Sequence, residues 1–116
     1  MNGNYILIFD KRFEISNKYK KIMTHNHCAQ VEIVSQENDF FEALNAKEPD
    51  IILISESVSA NFSEICKQIR SQKLKFRPVI ILLSKSAFAE DKTNALNAGA
   101  DDLERTYRIR RIFSTN

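Results

Sequence analysis

Pro49-Asp50-Ile51-Ile52-Leu53-Ile54-Ser55-Glu56 is the stretch that decides the fold. Its apolar core runs without a polar interruption. A strand with one wet face alternates apolar and polar side chains, whereas a strand covered on both faces has no need to. A short continuous run therefore reads as a strand inside a parallel sheet. Tyr5-Ile6-Leu7-Ile8-Phe9 and Val79-Ile80-Ile81-Leu82-Leu83 have the same form, and Val31-Glu32-Ile33-Val34 alternates in part, as an edge strand does.

Between these runs the spacing becomes helical. Ile15, Tyr19, Ile22 and Met23 fall at i, i+4, i+7 and i+8, one apolar stripe. Phe40, Phe41 and Leu44 form a second stripe, stopped by Glu48-Pro49. Phe62, Ile65, Cys66 and Ile69 form a third. Phe88, Ala95 and Leu96 form a fourth, and Gly99 is the expected left-handed cap that closes it. Alternating strands and helices predict right-handed crossovers that place helices on both faces of one sheet. After Asp102 the pattern weakens, leaving room for a fifth strand and a shortened fifth helix between Leu103 and Phe113. Arg105, Arg108, Arg110 and Arg111 lie there, and a solvated helix face is favoured over an anion-binding patch.

Composition narrows the function classes. A chain of 116 residues is one domain, and 43% hydrophobic with 28% charged residues supports a packed core. A net charge of +2 is too balanced for the whole domain to act as an electrostatic nucleic-acid binder. Two cysteines make no disulfide framework and point to a reducing compartment. The longest apolar run falls far short of the roughly 20 residues a bilayer needs, and Met1-Asn2-Gly3-Asn4 lacks the basic region of a signal peptide. The expectation is a cytoplasmic protein. Two glycines cannot build a glycine-rich phosphate loop. His25, His27 and Cys28 are of metal-ligand type, but no second cluster completes a zinc site.

In an open parallel sheet, ligands bind beyond the carboxyl ends of the strands. Asp10 and Lys11, Ser55 and Glu56, and Ser84 and Lys85 should therefore converge. Taken with Pro49 to Ile54, the segments Glu64-Ile65-Cys66-Lys67-Gln68-Ile69-Arg70, Pro78-Val79-Ile80 and Ala95-Leu96-Asn97-Ala98-Gly99-Ala100-Asp101-Asp102 complete a recognisable order. From about Tyr5 to Asp102 the chain resembles the response-regulator receiver domains of two-component signalling, of the chemotaxis-regulator-like kind. The resemblance implies an α/β, flavodoxin-like (βα)5 three-layer sandwich with sheet order 2-1-3-4-5. It also implies one domain over residues 1–116, suited to the N-terminal part of a longer protein.

Such domains need two acids after strand one to hold Mg²⁺, an Asp ending strand three to accept the phosphoryl group, a Ser or Thr ending strand four, and a Lys ending strand five. A carboxylate attacks a dianionic phosphate poorly unless cations neutralise the gathering charge. At those positions this chain has Asp10, then Lys11 for the second acid, Ser55 for the acceptor, Ser84 for the hydroxyl and Thr106 for the lysine. Mg²⁺ binding is expected to be weak or absent, because Lys11 adds repulsion where a second carboxylate should be. Lys11 is read evenly as a solvated loop residue or an ion-pair partner of Asp10 or Glu56. Glu56 as a substitute nucleophile is disfavoured, since strand neighbours point to opposite faces.

The resemblance thus implies a pseudo-receiver with no catalytic role, acting by phosphorylation-independent contact. Its partner would be a signalling protein, either a histidine kinase or an output domain, or a second copy. No membrane contact is expected, and nucleic acid enters only through an output domain. The expected interface holds Phe88, Arg105, Tyr107, Arg108 and Arg111. Two alternatives are a working phosphoacceptor with displaced site residues, and anion or nucleic-acid binding by the basic C-terminal segment.

Overall fold

The computed structural model describes residues 5–27, 30–58, 62–85 and 89–105. The elements run β1 (Tyr5–Phe9), α1 (Phe13–His27), β2 (Gln30–Val34), α2 (Glu37–Ala46), β3 (Ile51–Ser55), α3 (Phe62–Ser71), β4 (Val79–Ser84), α4 (Ala89–Ala98) and β5 (Asp102–Arg105). One sheet of order β2-β1-β3-β4-β5 pairs every neighbour in parallel, the flavodoxin-like order. The fifth helix and Thr106, Tyr107, Arg108 and Arg111 lie outside the described residues, as does Phe88.

The continuous apolar runs are divided between two faces by strand alternation. Ile6 and Ile8 of β1, with Leu53, Ile81 and Leu83, pack against Tyr19 and Met23 of α1. Leu7 and Phe9, with Ile52, Ile54, Ile80, Leu82 and Leu103, pack against α2, α3 and α4 through Phe40, Leu44, Ile65, Cys66, Ile69, Ala95 and Ala98. Phe40 is fully buried and stacks on Phe9 with ring centroids 4.8 Å apart. The fourth helical stripe needs correction. Ala95 is buried as expected, but Leu96 is 44% exposed, and Ala98 packs with Ala95 in the core in its place.

The end of the sheet where β4 and β5 begin is tied by charge. Arg70 donates to the Gly99 carbonyl at 2.9 Å, to the Pro78 carbonyl at 2.8 Å and to Asp101 Oδ2 at 2.9 Å. Arg77 donates to Asp101 Oδ1 at 2.7 Å, and the Ile80 amide to Asp101 Oδ2 at 2.8 Å. Burial pushes the Asp101 carboxyl up, but the bonds from Arg77 and the Ile80 amide and the two guanidinium charges outweigh it, leaving Asp101 below its ordinary value. Gly99 has φ +115° after α4, as its sequence position predicts. A Cβ there would also meet Arg70 Cγ at 2.9 Å, so two constraints favour glycine.

Candidate functional site

Asp10, Ser55, Glu56, Ser84 and Lys85 gather at the carboxyl end of the sheet, because β1, β3 and β4 are neighbours whose register brings their last residues level. Phe9 lies beside Ile54, and Ser55 beside Leu83. Asp10 extends the β1–β2 ladder by donating its amide to Val34 at 3.0 Å, which buries its side chain completely. A buried carboxylate needs compensation by charge and hydrogen bonds.

Arg12 supplies both. The Arg12 amide donates to Asp10 Oδ1 at 2.8 Å in a turn of the kind Asp side chains favour, which leads the chain into α1. That turn folds the guanidinium back over the same carboxylate, with Nε on Oδ1 at 3.0 Å and Nη2 on Oδ2 at 2.9 Å. The fork is bidentate, the strongest geometry for this pair of groups. Its hydrogen bonds to Asp10 push the Arg12 guanidinium further up than burial lowers it. Arg12 was not among the residues singled out from the sequence. Its signal is local, an Asp at a strand end with a basic residue two positions on, where a helix starts.

Ser57 completes the shell. Its hydroxyl donates to Asp10 Oδ1 at 2.9 Å and accepts from the Lys11 amide at 3.2 Å. Ser55 Oγ donates to Ser57 Oγ at 3.0 Å and accepts from the Ser57 amide at 3.1 Å. Ser55, at the acceptor position, is 1% exposed and serves as a capping hydroxyl. Lys11 is exposed, and among the described residues its ammonium makes no ion pair. The cation beside Asp10 is its neighbour.

Glu56 stands where β3 gives way to a turn. β3 ends at Ser55, and the Glu56 amide still donates to the Leu83 carbonyl at 3.0 Å, one rung further along. Its carboxylate accepts the Ser84 hydroxyl at 2.8 Å and the Lys85 amide at 2.9 Å. Elsewhere, burial pushes the Cys66 thiol up to about 11, which keeps it neutral and unreactive at pH 7.

Solved structures share this architecture. An orphan response regulator of H. pylori superposes with a TM-score of 0.78 at 16% identity, over 97% of this chain and 96% of that one. A response regulator from Hahella chejuensis gives 0.80 at 18% identity, over 96% and 92%. A signal receiver domain from Bermanella marisrubri gives 0.75 at 22% identity, over 90% and 86%. The fold is that of a response-regulator receiver domain. At these identities the likeness concerns the fold and not the chemistry. No family model matches the sequence, and no curated protein matches it by sequence.

A receiver fold implies Mg²⁺ beside the acid pair, and the residues here do not fit one. The ion takes hard, charged oxygen ligands in octahedral geometry. Asp10 offers two oxygens already held by a guanidinium, and Lys11 brings a further positive charge. Both Glu56 oxygens accept bonds from the end of β4 and the residue after it. Among the described residues, no group of three His, Cys, Asp or Glu is placed to hold a metal. No helix among them is long and apolar enough to cross a membrane.

Proposed function

We infer that the domain is a pseudo-receiver, a signalling module that works through protein–protein contact without accepting a phosphoryl group. The observation carrying this reading is the Arg12 fork on Asp10. A positive charge tethered two residues away occupies the carboxylate that a metal would need, and it competes at high effective concentration. Ser55 at the acceptor position adds to the case, because a hydroxyl buried to 1% and bonded within the loop offers no carboxylate nucleophile.

A domain of this kind influences a partner only by differential binding. The face made by α4 and β5 is the proposed contact surface, with exposed Leu96 and Arg105 on it. A signalling protein or a second copy is the fitting partner. An amide NMR titration with millimolar Mg²⁺ and then beryllofluoride, a phosphoryl mimic, tests the reading. The expected spectra are unchanged beyond ionic-strength effects. Saturable shifts at Asp10 and Ser55, or an intact mass raised by one phosphoryl group after treatment with a small phosphodonor, would overturn it.

A further inference from the structure

Glu56 stands one residue beyond β3. Its amide donates to the Leu83 carbonyl at 3.0 Å, adding a rung to the β3–β4 ladder and setting Glu56 level with Ser84. The half-buried side chain then crosses to β4. Oε2 accepts the Ser84 hydroxyl at 2.8 Å and Oε1 accepts the Lys85 amide at 2.9 Å. Ser84 ends β4 and is 6% exposed, and Lys85 begins the connection towards α4. One hydroxyl and one backbone amide, adjacent in the chain, thus converge on a single carboxylate. That is the donor arrangement of an anion site, and the chain fills it from within.

We propose that Glu56 is an internal anion that clamps the start of the β4–α4 connection to the end of β3, holding it in one setting without any external ligand. An ionised carboxylate is purely an acceptor, so both of its oxygens can serve donors at once. Hydrogen bonds to a charged group are also stronger than neutral ones. Because the anion is part of the chain, it is present in every folded molecule, and an external phosphate would have to displace it. The positive half of the site is built in likewise, through Arg12 on Asp10. The proposal rests on the pseudo-receiver reading and adds to it a reason why Ser84 and Lys85 need no external anion to be held.

Hydrogen exchange at the Lys85 amide, followed by NMR, tests the clamp. In Glu56→Ala the Lys85 amide loses its acceptor, and its exchange should rise by about tenfold or more, with the buried amides of β1 and β3 unchanged. Glu56→Gln keeps the size and shape but offers one oxygen to two donors, so Lys85 exchange should rise there too, by a smaller factor. If Glu56→Ala does not fold, Glu56→Gln decides alone. Wild-type exchange at Lys85 in the variant that decides would overturn the proposal. Phosphodonor labelling of the wild-type chain separates the two ideas. Labelling with Lys85 still protected by Glu56 sinks the pseudo-receiver reading and leaves the clamp. No labelling with Lys85 indifferent to Glu56 sinks the clamp alone.

Discussion

Replacing Arg12 by alanine removes the cation from a carboxylate that has no exposed side-chain surface. Asp10 would retain the residue-12 amide and the Ser57 hydroxyl as donors, at 2.8 and 2.9 Å, but no positive charge in contact. Breaking a buried ion pair from one side typically costs about 3–5 kcal/mol. The guanidinium is 22% exposed and two donors remain, so the lower end applies, about 3 kcal/mol. With a urea m-value of roughly 1–3 kcal/mol/M for a small domain, the midpoint should fall by at least about 1 M. The control is Asp10→Asn in the Arg12→Ala background, which removes the stranded charge. That double variant should regain much of the loss, giving a coupling on the order of 1–2 kcal/mol in a double-mutant cycle. Millimolar Mg²⁺ should not restore Arg12→Ala, because one carboxylate beside Lys11 remains a poor site. A loss below about 0.5 kcal/mol, the size of an ordinary surface change, or a double variant no more stable than Arg12→Ala, would show that the fork is not what compensates Asp10.

Lys11→Ala should stay within about 0.5 kcal/mol of wild type in the same urea assay, since its ammonium stands in solvent. Asp101 has a folded-state value held below its unfolded one, so the stability it contributes is complete above the ordinary carboxylate value near about 3.9 and is lost as pH falls through the lower, folded one. Acid titration of thermal stability should show that loss in the wild-type chain, and Asp101→Asn should remove this part of the acid dependence. Charge reversal at Arg108 and Arg111 should weaken partner binding or self-association and its salt dependence while leaving the circular dichroism unchanged, read by sedimentation at two ionic strengths. Normal association of that variant, or contacts mapped to the Ile15 and Tyr19 helix, would move the proposed interface elsewhere.

The architecture was largely legible because it depends on periodicity, which a linear sequence carries. The unbroken runs at Tyr5, Ile51 and Val79 announced doubly covered strands; the sheet order, which the resemblance to receiver domains implied and periodicity did not, is the observed one. Leu96 was misplaced because apolar character alone does not say on which side of Ala95 the buried face continues, and it continues through Ala98. Ala95 and Ala98 bring α4 close to its neighbours with little side chain of their own. The site residues were legible as positions but not as partners. Asp10, Ser55 and Ser84 could be placed at one end of the sheet from strand boundaries alone. Which cation serves Asp10 could not, since Lys11 and Arg12 are both basic and both close by, and the turn decides which is directed back over the carboxylate.

The sequence by itself determined the parallel α/β sheet and its two-sided core. Those properties follow from spacing and residue identity along the chain. Only the tertiary structure decided that Arg12 covers Asp10, that Ser57 joins them, and that Glu56 reaches Ser84 and Lys85. Ser57 and Glu56 meet partners 47 and 28 positions away, brought within hydrogen-bond reach by the β1–β3 and β3–β4 registers. Arg12 is near Asp10 in sequence, but the bidentate fork depends on the turn between β1 and α1. Hydrogen bonds are short and directional, so pairing at a site is settled by the last ångström of geometry, whereas hydrophobic burial needs only the right face.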